Sequence, residues 1–407
     1  MEAEFADRLN LITGDNGLGK SFLLDVAWWA LTRTWAGRPA LPRESSKKSS
    51  IATVITGRNG RESRRDIHFD FQQQIWKQPR GRAEMPGLVI YAQVDGSFSV
   101  WDPARNYWKQ EEQDRVSAYL FDSRQVWTGL QDADGKWNCN GLLRDWASWQ
   151  REKSASYRQL CKALKALSPP GEELKPGELV RIHPDDSQDY PTIAMPYGID
   201  VPVVHASAAI RRVLALAYLL IWAWEEHVRA AKLRREEPTK RIVFLIDEVE
   251  AHLHPGWQKR ILPCLFEAVE QMQSQPGLNV QMIVTTHAPL VCVSLETFFN
   301  PAMDRLLDLD LDTGNNVVLS IVDFQRRGPA GNWLVSPHFG LESEYSEKAE
   351  DELRAASALV ESEIAAPGSV KRATFIAQDT RLRSVLGELD PFWVRWRRIG
   401  EKKGWIS

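Results

Sequence analysis

The chain has 407 residues, 43% of them apolar and 26% charged, a globular composition with room for one large domain or two to three ordinary ones. A formal charge of −3 excludes an overall field that would draw the whole molecule to nucleic acid or anionic lipid, so any such contact has to come from a local patch. Cys139, Cys161, Cys264 and Cys292 form no CxxC pair, which argues against a zinc module or disulfide framework and fits a reducing cytoplasm.

Leu9 to Thr13 (LNLIT) is apolar and β-prone and reads as a strand. Gly14-Asp15-Asn16-Gly17-Leu18-Gly19-Lys20-Ser21 follows directly, and Phe22 continues into an apolar helix (SFLLDVAWWALTRTW). This is the GxxxxGK[ST] pattern in the strand, loop and helix context it requires. Glycines let successive N–H groups turn inward around phosphates, and the helix N-terminus adds partial positive charge. Lys20 is expected to reach the β and γ phosphates of ATP, with the Ser21 hydroxyl on Mg2+.

Short β-prone runs, Ser50 to Thr56, Asp66 to Phe71, Leu88 to Ala92 and Ser97 to Trp101, predict an antiparallel β subdomain over residues 50–122. Residues 140–167 carry Trp146, Trp149 and Leu160 on apolar helical spacing, which predicts a helical lobe within 139–170. Pro169-Pro170-Gly171 opens a loop region that runs to Pro196. Ser207 is then an N-cap residue before a long helix, whose apolar stretch Val213 to Trp224 is too short to span a bilayer. No sustained heptads fill the chain between Lys20 and Ser207, so a long coiled-coil arm is excluded.

Arg241 to Ile246 is continuously apolar after its first residue, as in a strand buried on both faces of a parallel sheet, and it ends in Asp247-Glu248. Carboxylates at that end stand where α/β sheets bind ligands. Asp247 is expected to hold Mg2+ and Glu248 to act as the general base on an attacking water. Asn279 to Thr286 is another strand, and His287 follows it, positioned to sense a γ-phosphate. Asp308, Asp310 and Asp312 before Thr313-Gly314 fit a hairpin turn better than a metal-binding DxD. His252 and His254 fit a subunit contact better than a metal site. Towards the C-terminus, Arg395, Arg397, Arg398, Lys402 and Lys403 alternate with Trp393, Trp396 and Trp405; a solvated surface helix or partner contact is favoured over nucleic-acid binding.

Taken in order, the glycine loop, Asp247-Glu248, Ala251 to His254 and His287 resemble the ATP-binding-cassette superfamily, with its Walker A, Walker B, D-loop and switch histidine. LIDEVEAHLHP and Val284 to Pro289 are most similar to its SMC, RecF and OLD branch (AAA_15 and AAA_21-like), and in compact build to the Septu-type, PtuA-like ATPases of anti-phage defence. The resemblance implies an α/β P-loop NTPase of ABC-ATPase type over residues 1–325, with signature, Walker B and switch in 200–295, followed by a mostly helical appendage over 326–407. It implies two ATP molecules held between subunits of a homodimer or higher even oligomer, with Ser207 of a signature segment (Ala206 to Arg212) on the γ-phosphate across the interface. Two alanines stand where that family has glycine after the serine. Only eight residues precede the first strand, where the family has a further strand. A glutamine that touches Mg2+ in the family is assigned to Gln125, with Gln93 the weaker candidate. A separate nuclease partner, HNH type included, is implied, with DNA a possible ligand, a cytoplasmic location and no membrane. The alternatives are a RecF-like repair ATPase and a weakly hydrolysing scaffold.

Overall fold

The structure is a computed structural model, which describes residues 1–42, 48–56, 62–77, 86–106, 116–271 and 277–406. Contacts divide the chain into two units, Met1–Trp333 and Leu334–Ser407.

The first unit is organised by strands whose residues are apolar on both faces. β1 (Leu9–Gly14) leads through the glycine loop into α1 (Lys20–Thr32). β2 (Ser50–Thr56), β3 (Glu62–Asp70) and β4 (Ile75–Trp76) form a separate antiparallel sheet. Its alternating pattern buries Ile67, Phe69 and Trp76 in a cluster with Trp29. β5 (Leu88–Ala92), β6 (Phe98–Trp101) and β7 (Tyr119–Phe121) do not join that small sheet, as the expected subdomain over 50–122 required; they extend the main sheet. The physical reason lies in burial: all five residues of β5 are buried, because it pairs with the apolar strand Arg241–Ile246.

α2 (Gln125–Thr128) and the hairpin β8 (Leu130–Gln131) and β9 (Trp137–Cys139) lead to the helical lobe, α3 (Leu142–Glu152) and α4 (Ala155–Leu167). A three-stranded sheet of β10 (Lys175–Pro176), β11 (Thr192–Ala194) and β12 (Asp200–Pro202) precedes α5 (Ala208–Leu233). α5 is buried continuously from Arg212 to Ala223. Lower down, His227 Nδ1 donates to Asp102 Oδ1 at 2.7 Å while Nε2 accepts from the Thr239 amide, a neutral histidine pinning the helix. β13 (Arg241–Ile246), α6 (Pro255–Gln258), α7 (Ile261–Gln271), β14 (Asn279–Thr285) and α8 (Pro289–Leu295) follow. β15 (Asp304–Leu311) and β16 (Val317–Val322) form the expected hairpin, with Asp312 Oδ1 accepting from the amides of Gly314 and Asn316.

The main sheet runs β16-β15-β1-β14-β13-β5-β6-β7. Its five central strands, β15 to β5, are parallel, and the flanking strands are antiparallel. β15 lies beside β1, on the side away from β14. α1 packs on one face through Leu24 and Trp28 against Ile12, Tyr91 and Leu245. α9 (Ala330–Leu334) carries Trp333, whose indole N–H donates to Glu296 and whose ring packs against Phe324. These bonds tie residues 326–333 to the first unit and move the boundary beyond the expected position after 325.

The second unit is a three-helix cluster of α10 (Glu347–Ala365), α11 (Arg372–Val385) and α12 (Phe392–Lys402). Trp396 is fully buried, stacks on Phe375 at 4.0 Å and donates to Asp379. Trp393 is also buried and donates to the Gly387 carbonyl. The aromatic residues of the basic tail therefore pack the core of this unit and are not a stacking platform for bases. Among the described residues no helix is long and apolar enough to cross a membrane.

Candidate functional site

Parallel pairing decides where the motifs meet. β1 and β13 flank β14 on either side, with Ile12 opposite Thr285 and Ile246 opposite Val284. The loops that leave the C-terminal ends of all three strands therefore emerge at one edge of the sheet.

The glycine loop fits a triphosphate. Gly14, Gly17 and Gly19 have φ of 126°, 80° and 95°, the region in which successive amides form an anion-facing concavity. Gly14 is required for a second reason: a Cβ there would stand 2.3 Å from the Leu309 carbonyl of β15. A Cβ at Gly17 would meet nothing, so its role is conformational. Asp15 and Asn16 are exposed, Leu18 packs against the core, and Phe22 is 47% exposed beside the exposed Ser21. The helix starts at Gly19 with no side-chain cap and no acidic residue in its first turn, so its terminal N–H groups are left for an anion. Lys20 is buried; its Nζ donates to the carbonyls of Gly14 and Asp15 at 2.6 and 2.8 Å, and it makes no ion pair among the described residues. Burial pulls its pKa below that of an ordinary lysine, opposed by Glu248, Asp15 and Asp247. A phosphate would supply the missing counter-charge.

At the end of β13, Asp247 is buried and its Oδ1 accepts from the Thr285 hydroxyl at 2.7 Å. The same hydroxyl accepts from the Glu248 amide at 2.8 Å. Glu248 has a φ of 47°, uncommon for a residue with a Cβ and a sign of local strain at a functional turn. Its carboxylate stands 3.7 Å from His287 Nε2. Burial, and then Lys20, holds the His287 pKa below the usual histidine value, against the pull of Glu248 and Asp247. Ser21 and Asp247 offer only oxygen, the donor set that Mg2+ requires.

Sequence reasoning missed several neighbours. Glu250 accepts from the Thr286 hydroxyl at 2.8 Å and from the His287 amide at 2.5 Å. Arg212, near the start of α5, is buried with Nη1 donating to the Gln93 carbonyl at 2.6 Å, while Nε and Nη2 have no hydrogen-bond partner among the described residues. Asp25 on α1 accepts from the Tyr91 hydroxyl at 3.2 Å, and its pKa is pushed up to about 6 by burial, offset by that bond and aided by Asp247. An acidic residue on the inner side of an apolar helix was the available signal for Asp25.

Ser207 caps α5, its Oγ accepting from the Ile210 amide at 3.3 Å, and it is exposed. Gln125 is not brought to the site. It opens α2 beyond β7, three strands from β13, and its side-chain oxygen is taken up by the Asp122 amide. Gln93 directly follows β5, whose Ala92 carbonyl accepts from the Asp247 amide, so the weaker candidate is nearer the acid pair along the chain, though its side chain is taken up by Ser97 and Ser99. His254 caps α6, with Nδ1 accepting from the Gly256 amide, and His252 has a φ of 64°.

The family AAA_21, described as "AAA domain, putative AbiEii toxin, Type IV TA system", matches residues 9–294. A curated relative, "Retron Ec83 probable ATPase" of Escherichia coli, is 42% identical over 55 residues, which is 14% of this chain and 9% of that protein. The matched stretch is thus under a tenth of the relative's length. Among solved structures, the SMC head domain from Thermotoga maritima is similar at 16% identity and a TM-score of 0.37, over 79% of this chain and 92% of that one. An SMC head bound to the C-terminal winged-helix domain of ScpA is similar at 15% identity and a TM-score of 0.43, over 78% of this chain and 92% of that one.

Proposed function

Because the chain belongs to the AAA_21 family and is a P-loop ATPase of that type, we propose that it hydrolyses ATP to ADP and phosphate as the nucleotide-gated sensor or clamp of a defence complex. The observation that carries hydrolysis is the meeting of the β1, β13 and β14 ends, which sets Lys20, Asp247, Glu248 and His287 in one electrostatic neighbourhood.

The loop amides of Gly17 and Gly19 and the Lys20 ammonium bind the phosphates. Ser21 and Asp247 would hold Mg2+, which neutralises charge on the β and γ phosphates when bound. Glu248 accepts a proton from the attacking water; the new P–O bond forms as the bond from the γ-phosphorus to the β,γ-bridging oxygen breaks. His287 hydrogen-bonds the γ-phosphate. Ser207 of a second copy closes on the same nucleotide, so ATP binding draws two copies together and hydrolysis releases them. With Glu248→Gln, ATP is expected to be bound and kept, and the protein to elute as a dimer. An unchanged hydrolysis rate would remove Glu248 from this role.

The defence role, with a separate nuclease of HNH or another kind, draws on the name of the retron relative and on the family description. Affinity capture of the tagged chain together with the product of the adjacent gene tests it, and capture of a non-nuclease would overturn it. A second reading, a DNA-repair ATPase of RecF type, is favoured by one feature: exposed Arg395, Arg398 and Lys402 lie one helical turn apart along α12. Hydrolysis measured with and without duplex DNA separates the two.

A further inference from the structure

We propose that Glu250 is the positioning residue of the site, holding His287 at the distance and angle from which it reads the γ-phosphate. The inference rests on the hydrolytic reading above and adds a residue with no role in it so far.

Besides the Val249 amide, which donates to the Thr285 carbonyl, two side-chain ties join the end of β13 to the end of β14, and they run in opposite directions. In the first, Thr285 on β14 reaches across to β13, donating to Asp247 and accepting from the Glu248 amide. In the second, Glu250 beyond β13 reaches back to β14. Its Oε2 accepts from the Thr286 hydroxyl at 2.8 Å, and its Oε1 from the His287 amide at 2.5 Å. Thr286 Oγ1 also accepts from the Ala288 amide at 3.0 Å, so the carboxylate secures three consecutive residues, 286 to 288.

The imidazole of His287 makes no hydrogen bond among the described residues; Nε2 stands 3.7 Å from Glu248 Oε1. The ring is 30% exposed, and its one ion-pair contact among the described residues, Glu248, is too long for a hydrogen bond that would lock its orientation. Its place is therefore set through its main chain, and Glu250 is the side chain that grips that main chain. Hydrogen bonds to a carboxylate are the strong class, and two on one carboxyl group fix direction as well as distance. Burial, aided by Glu248 and opposed by the His287 and Thr286 bonds, pushes the Glu250 pKa up, so a carboxylate without a task here would be costly. The turn that aims it back at β14 departs from ordinary backbone at Glu248 and again at His252, with φ of 47° and 64°. A misplacement of about 1 Å in a catalytic array costs on the order of a hundredfold in rate.

The test uses the full chain with Glu250→Ala, Glu250→Gln, His287→Ala and the double variant Glu250→Ala/His287→Ala. Glu250→Ala is expected to lower kcat by about 10- to 100-fold with KM for ATP changed less than about threefold. Glu250→Gln should rescue most of that loss, since its amide oxygen can accept from the His287 amide and its NH2 can donate to Thr286. In the His287→Ala background the Glu250→Ala change should cost less than about twofold, because the group it positions is gone. Hydrogen exchange of the 285–288 segment in nucleotide-free protein should quicken in Glu250→Ala and not in Glu250→Gln. If Glu250→Ala does not fold, Thr286→Val removes one of the two bonds and should give an intermediate loss of kcat with the same exchange signature. An equal loss in both backgrounds would make Glu250 a structural residue only, and wild-type kcat in Glu250→Ala would remove its role. Should wild type and Glu248→Gln hydrolyse ATP equally, the hydrolytic reading fails instead, while unchanged exchange on Glu250→Ala would by itself overturn the grip on His287.

Discussion

The motif-bearing edge of the first unit and the three-helix second unit both bury charge, and they compensate it differently. At the edge, Lys20 and Asp247 are buried, and Glu248 adopts a strained backbone. In the second unit Trp393, Trp396 and Phe375 form the interior, Arg395, Arg397, Arg398 and Lys402 face solvent, and the buried carboxylates are met within the unit, Asp379 by Trp396 and Arg383 and Glu363 by Lys403 and the Gly368 and Val370 amides. Burying charge is costly and is tolerated where a ligand or a network compensates, whereas aromatic burial is favourable without help. The first region, with Lys20 unpaired among the described residues, thus has the signature of a site, and the second that of a fold whose buried charges are already paired.

The contrast can be broken experimentally. Lys20→Ala should abolish detectable ATP binding, and Glu248→Gln should slow hydrolysis by about 10²- to 10⁴-fold, both read in a nucleotide-binding and turnover assay. Trp396→Ala should destabilise the second unit by about 3–5 kcal/mol in a denaturant titration, since it empties a fully buried position stacked on Phe375.

Asp25 sharpens the comparison through pH. Its folded pKa of about 6 lies above the ordinary 3.8, so between those values the folded chain keeps a proton that the unfolded chain has released. Ionised Asp25 therefore costs stability as pH rises through that window. Asp25→Asn should stabilise nucleotide-free protein at pH 7 by about 1 kcal/mol, after discounting for solvent screening of a half-buried group, and the gain should vanish below pH 3.8. Thermal unfolding at the two pH values checks it.

Of similar size, Ser207→Ala should cost about 1 kcal/mol through loss of the α5 cap, and Ser207→Gly only a few tenths. If Ser207 also binds nucleotide across a dimer, both variants should weaken ATP-dependent dimerisation by more than their stability loss.

How much was legible follows from how local each feature is. The glycine loop is eight consecutive residues between a strand and a helix, and each residue type has a reason there. β2, β5 and β13 begin and end where their apolar patterns do. The allocation of β5 to β7 to the main sheet was not legible, because a short apolar strand does not state its neighbour. Gln125 drew attention because the resemblance implies a Mg2+-contacting glutamine near the entry to the helical lobe, but position along the chain is local and proximity to Asp247 is not. Gln93 stands near that acid only because β5 pairs with β13, and its side chain is bonded to Ser97 and Ser99.

By itself the sequence determined the chemistry on offer: a loop able to wrap phosphate, carboxylates at a strand's end, a histidine at another's, and a second unit rich in tryptophan. Only the tertiary structure decided that β14 stands between β1 and β13, and hence that Glu250 meets His287 across 37 positions of chain. The reason is physical: residue patterns dictate what a strand buries, while strand order is settled by the collective packing of the whole sheet.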